Sequence, residues 1–116
     1  MRVNIQVRNQ TTLFFLDGDL DMYSAPEVRK VILAKIREGA RKIFLVLDKV
    51  FYIDSSGVGV LIRLLQEIKI VKGELKFIGI RQGPKKVLQL SNLFQILQTC
   101  DSLDEAFGAK GELNKQ

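Results

Sequence analysis

Histidine is absent from the 116 residues, and cysteine occurs once, as Cys100. These two shortages remove most of the reactive chemistry open to a small protein. A thiol or hydroxyl nucleophile needs a neighbouring base, and the usual one is missing. Transition-metal sites draw on His and Cys, so nearly all of their ligand patterns are unavailable. A lone cysteine cannot close an intramolecular disulfide, and Cys100 reads as a packing residue near the end of the domain.

Long apolar runs are missing too. The longest reaches about five residues, against the roughly 20 a helix needs to cross a bilayer. The start, Met1-Arg2-Val3-Asn4-Ile5-Gln6-Val7, alternates polar and apolar residues and has no signal-peptide block. These features point to the cytoplasm and away from a membrane. The net charge of +5 invites a nucleic-acid partner. However, no basic run exceeds a pair, and no aromatic-basic interleaving suited to base stacking is present, so no direct nucleic-acid binding is expected. There are no internal repeats. A Gly-x-Ser-x-Gly elbow and a Gly-x-x-x-x-Gly-Lys-Ser/Thr phosphate loop are both lacking, and Gly57-Val58-Gly59 is too short to cradle a nucleoside triphosphate. The chain is read as no enzyme, with no cofactor and no metal.

What is present is an ordinary globular composition, 47% hydrophobic and 27% charged, in a length that suits one domain with one core. Its centre is Ile43 to Val71. Ile43-Phe44-Leu45-Val46-Leu47 is continuously apolar and predicts a central strand covered on both faces. Val50-Phe51-Tyr52-Ile53 follows, then Asp54-Ser55-Ser56-Gly57, whose side-chain oxygens suit the free N–H groups of a helix start. Val58, Leu61, Ile62, Leu65 and Ile68 recur at helical spacing beyond it, with Arg63, Gln66, Glu67 and Ile70 opposite. Val60, Leu64 and Val71 widen the apolar arc, which fits either burial against a neighbouring helix or a partner-facing patch.

On either side the pattern predicts an alternating strand at Val3, Ile5 and Val7, a turn at Asn9-Gln10, and a hairpin-paired strand from Thr11 to Leu16. That strand runs into an acidic loop, Asp17-Gly18-Asp19-Leu20-Asp21, where turn and capping chemistry accounts for Asp17 and Asp19. Ser24, Pro26 and Glu27 predict a capped helix start, Val28, Val31, Ile32 and Ile36 with Ala25 and Ala34 its apolar stripe, and Gly39 its end. Lys72-Gly73 should close the central helix and Glu74 to Ile80 return as a strand. A further helix is predicted over Pro84 to Leu90, an extended segment over Phe94 to Leu97, and a capped turn from Ser102 to Phe107. Together these give an α/β fold with a mixed, mainly parallel central sheet and helices packed on it. Both functional loops fall at one end of the sheet if their strands run parallel.

The turn itself has two readings from its residue types. Asp54, Ser55 and Ser56 can be capping residues alone, or the helix start, with its free N–H groups and positive dipole end, can tolerate a phosphate on Ser55. Asp54-Ser55-Ser56-Gly57-Val58-Gly59-Val60-Leu61 after an apolar strand resembles the signature of STAS domains, specifically bacterial anti-sigma-factor antagonists. Gly18-Asp19-Leu20-Asp21 is similar to the family's Gly-Glu-Leu-Asp segment, with Asp19 replacing the commoner Glu. Gly73 to Phe77 and Pro84 to Val87 follow in the family's order.

The resemblance implies a STAS domain over 1–108, and the polar end that follows Gly108, 109–116, reads as a flexible tail. It also implies that the unmodified chain binds an anti-sigma factor with serine/threonine kinase activity and frees the sigma factor, while phosphorylation of Ser55 ends that interaction. Asp21 carries over as a partner-contacting, phosphorylation-related carboxylate, and Asp54, Ser56 and Gly57 as partner-binding neighbours. A phosphatase that removes the mark is a further candidate partner. The alternative is a STAS scaffold subunit in a sensory assembly unrelated to sigma factors.

Overall fold

The computed structural model describes residues 1–108. The tail expected at 109–116 lies outside the described residues. Within them five strands form one sheet in the order β1 to β5: β1 (Arg2–Arg8), β2 (Thr11–Asp17), β3 (Lys42–Lys49), β4 (Glu74–Ile78) and β5 (Gln98–Cys100). β1 and β2 pair antiparallel, and every later neighbour is parallel. The hairpin closes through Asn9 and Gln10 at φ of 52° and 64°. Positive φ at both central residues is what a two-residue connection needs to match the twist of the strands.

Parallel neighbours need a crossover, and helices supply it. α1 (Ala25–Arg37) links β2 to β3, and α2 (Ser55–Ile70) links β3 to β4. The continuous apolar run of β3 divides by strand alternation. Ile43, Leu45 and Leu47 join the core under α1 and α2, while Phe44 and Val46 face the other side with Leu13 and Ile78. Among the described residues that second face is covered by a single turn, α4 (Leu103–Ala106). Phe107 packs on Phe44 with ring centroids 5.0 Å apart. Lys76 Nζ donates to Ala106 O at 3.0 Å and holds the turn down.

Several expected details shift. On α2 the buried positions are Gly57, Val60, Leu61, Leu64 and Ile68, whereas Ile62 is exposed and Val58 and Leu65 are half-buried. The helix lies against α1 as well as the sheet, so the buried arc turns toward Val60 and Leu64, which belong to the core. On α1, Leu33 is buried in place of Val31 and Ala34, which are only half-buried. The close of α2 falls where expected, just before Lys72-Gly73, with Lys72 in the left-handed conformation at φ 59°.

β4 stops at Ile78 because Gly79, at φ 73°, turns the chain and donates its N–H to Cys100 O at 2.9 Å. α3 spans Gln82–Leu90, with Pro84 inside its first turn, where a missing N–H costs nothing. The extended segment expected over Phe94 to Leu97 is a 3-10 turn over Phe94–Ile96. Leu93 and Leu97 are both buried, and the curl lets each reach the core. The strand follows it, at Gln98–Cys100.

Candidate functional site

β2 and β3 run parallel, so the acidic loop after β2 and the polar turn after β3 emerge at the same end of the sheet. They continue the pairing past the strands themselves. Gly18 N donates to Lys49 O at 3.1 Å, Leu20 N to Tyr52 O at 3.0 Å, and Asp54 N to Leu20 O at 3.3 Å. Leu20 and Ile53 form an isolated parallel bridge, and both side chains are buried. The loops are thus anchored by two apolar side chains pointing inward, which leaves their polar residues at the surface.

Asp54 is the hinge of the arrangement. As the N-cap of α2, its Oδ1 accepts from Ser56 N at 2.8 Å and Gly57 N at 3.1 Å. Its Oδ2 accepts from Met22 N at 3.1 Å, across the gap to the other loop. One carboxylate therefore caps the helix and ties the loops together. Two of the free donors of the helix start are taken by the Asp54 carboxylate and Asp54 N itself by Leu20 O, so the dipole remains while fewer free donors are left for an anion.

Ser55, the first residue of α2, is exposed, and the hydrogen bonds of the turn pass it by. Ser56 is half-buried beside it. Gly57, expected at the partner surface, is buried. A Cβ there would fall against the Leu20 carbonyl oxygen and stand 3.0 Å from both Ile53 Cγ2 and Leu20 Cγ. Its contribution is to let the loops close on the helix.

Asp21 is half-buried, and its Oδ1 accepts from Tyr23 N at 3.0 Å and Ser24 N at 3.1 Å. Ser24, expected to cap α1 with its hydroxyl, makes no side-chain cap bond. Its Oγ donates to Asp19 O at 2.7 Å and accepts from Asp21 N at 3.1 Å, so Asp21 and Ser24 brace the loop between them. Around this polar centre stand four large exposed side chains, Met22 and Tyr23 from one loop and Phe51 and Tyr52 from the other. Sequence reasoning assigned them no role. The available signal was four bulky residues in two short segments, Met22-Tyr23 directly after the acidic loop and Phe51-Tyr52 just before the Asp54 turn. Arg81 lies over Phe51 at 5.1 Å and donates from Nε to Asp48 O at 2.7 Å, which holds the ring at the rim.

Among the described residues no group of three or more His, Cys, Asp or Glu is placed to hold a metal, and no helix is long and apolar enough to cross a membrane. The family model for the STAS domain matches residues 2–106. The chain belongs to the STAS domain family. The anti-sigma-B factor antagonist of Staphylococcus aureus is 26% identical to this STAS chain over 99 residues, covering 84% of this chain and 92% of that one.

Among solved structures, a Thermotoga maritima protein described as a candidate anti-sigma factor antagonist superposes with a TM-score of 0.87 at 26% identity, covering 92% of each chain. The phosphorylated form of the Bacillus cell-fate determinant SpoIIAA superposes with a TM-score of 0.72 at 25% identity, covering 93% of this chain and 98% of that one. This is the five-stranded STAS fold expected of the mixed sheet, down to its antiparallel edge strand.

Proposed function

We propose that this STAS protein is an anti-sigma-factor antagonist switched by phosphorylation of Ser55. The observation that carries the proposal is an exposed hydroxyl on the first residue of α2, set beside a carboxylate whose oxygens are already committed to backbone donors. A phosphate there adds about 1.5 to 2 negative charges. Asp54 holds the nearby N–H groups, so that charge is projected outward instead of being absorbed by the helix start. The domain keeps its fold, and the partner meets the charge. Each 1.4 kcal/mol of lost binding is about tenfold in affinity, so modest repulsion makes an effective switch.

The partner is an anti-sigma factor with serine kinase activity, which binds the unmodified surface, releases its sigma factor and transfers phosphate from ATP to Ser55. Asp21 acts by bracing the loop that presents Met22 and Tyr23, while Asp54 and Ser56 lie at the contact itself. A kinase of this kind needs the hydroxyl accessible, and exposure of Ser55 with half-burial of Ser56 supports the first serine as acceptor.

The test is a pull-down from source-cell extract to recover the anti-sigma factor kinase, then reconstitution with the purified proteins and ATP. Ser55→Ala should bind constitutively and resist phosphorylation, whereas Ser55→Asp should bind poorly and keep a native circular dichroism spectrum. Phosphate found on Ser56 by mass spectrometry, or parent-like affinity of Ser55→Asp, would overturn the mechanism.

A further inference from the structure

Gly59 sits in the second turn of α2, and nothing inside the fold calls for a glycine there. Its φ lies outside the left-handed region, and a Cβ built on it would meet nothing within 4 Å. Gly57 and Gly73, by contrast, each lie against backbone that a Cβ would strike. A glycine in a helix interior lowers stability relative to alanine. Among the described residues nothing fills the space that its missing side chain leaves.

Gly59 lines a groove of about 320 Å³ between the first turns of α1 and α2. Met22, Ala25, Pro26 and Val60 are its apolar lining, Ser56 is the chain neighbour of Ser55, and Arg29 is the only charged lining residue among the described residues. Met22 is 60% exposed, and its N–H is held by the Asp54 carboxylate, so this wall is fixed to the motif. Arg29 is exposed and forms no ion pair with the described residues. Among the described residues no carboxylate lines the groove. An apolar slot with one uncompensated cation complements an apolar side chain next to a carboxylate.

We propose that the groove receives an acidic segment of the partner protein, its apolar side chain entering over Gly59 and its carboxylate meeting Arg29. This rests on the antagonist function above and gives the switch a specific target. Ser55 and Gly59 are four residues apart and so are neighbours on the helix surface. A phosphate on Ser55 places like charge beside the incoming carboxylate.

The probe is the purified anti-sigma factor kinase, titrated calorimetrically against the full chain at low and high salt. Gly59→Leu fills the slot and should weaken binding by at least about tenfold without lowering the melting temperature. Gly59→Ala, the smaller filling, should weaken it less. Arg29→Glu should weaken it by about tenfold and flatten the salt dependence, while Arg29→Lys keeps most of the affinity. Ile70→Ser, exposed far along the same helix, should bind like the parent. Parent-like affinity of either Gly59→Leu or Arg29→Glu overturns the groove and leaves the antagonist function standing. A parent chain that binds no anti-sigma factor overturns both.

Discussion

Replacing Gly57 by alanine tests how closely the two loops are sealed. The added methyl would fall against the Leu20 carbonyl oxygen, a backbone atom with no rotamer to escape into, and stand 3.0 Å from Ile53 Cγ2 and Leu20 Cγ. That same oxygen accepts from Asp54 N at 3.3 Å, so pushing it away loosens the bond between the loops. Overpacking of this kind costs about 1–3 kcal/mol, and a weakened backbone hydrogen bond about 1 kcal/mol more. The gain in helix propensity on replacing glycine offsets about 1 kcal/mol. The net loss is about 1–3 kcal/mol, a fall in melting temperature of about 4–12 °C for a domain of this size.

The measurement is thermal and urea unfolding followed by far-ultraviolet circular dichroism, with Gly59→Ala in parallel. Gly59 carries the same helix penalty without the clash, so its replacement should raise the melting temperature. If Gly57→Ala melts at or above the parent, the loops are not packed on the helix as described.

Three further outcomes follow from the same contacts. Asp54→Ala removes an acceptor used by Ser56, Gly57 and Met22 and should cost about 1–2 kcal/mol in urea unfolding, with Asp54→Asn recovering part of it. Leu64→Ala should cost about 2–5 kcal/mol, because the side chain is fully buried in the main core; a loss below about 1 kcal/mol would place it at the surface. The Cys100 thiol is pushed above its ordinary pKa by burial, against the opposing pull of Lys76. A raised thiol pKa means stability that is fully present below the unfolded-state value and lost as pH rises through the folded one. Alkylation near neutral pH should accordingly be slower in the native protein than in urea, and equal rates would contradict the burial.

The elements with strong internal pattern were legible in the sequence. The run Ile43 to Leu47, the Asp54 cap, the hairpin turn at Asn9-Gln10 and the closing signals at Gly39 and Lys72-Gly73 each carry their own physical cause, and each recurs in the structure. What escaped is what depends on distant partners. β5 is three residues long, and its Gln98 and Thr99 are exposed, so no alternation marks it; parallel pairing with Lys76–Ile78 makes it a strand. The arc of α2 was only partly legible, because helical spacing gives an apolar face but cannot decide that α1 covers Val60 and Leu64, which stood open between core and interface, or that Ile62 stays outside. At the site, the motif and the shared sheet end could be read from residue types and parallel pairing. The link from Asp54 to Met22 could not, since it joins residues 32 apart in sequence.

The unequal cover of the sheet bears on how the chain is made. The face under α1 and α2 is built mostly from segments before residue 71, so most of its layers can assemble as synthesis proceeds from the amino end. The other face has no such early partner. Among the described residues, Leu13, Phe44, Val46 and Ile78 take their cover from Leu103, Ala106 and Phe107, which leave the ribosome late. Until then a bare apolar sheet surface faces the cell, and a chaperone that binds such surfaces has its longest opportunity there. A nascent chain stalled after Cys100 would hold the polar loops and the motif serine yet keep that face open, and so would be more exposed to aggregation than to loss of its site.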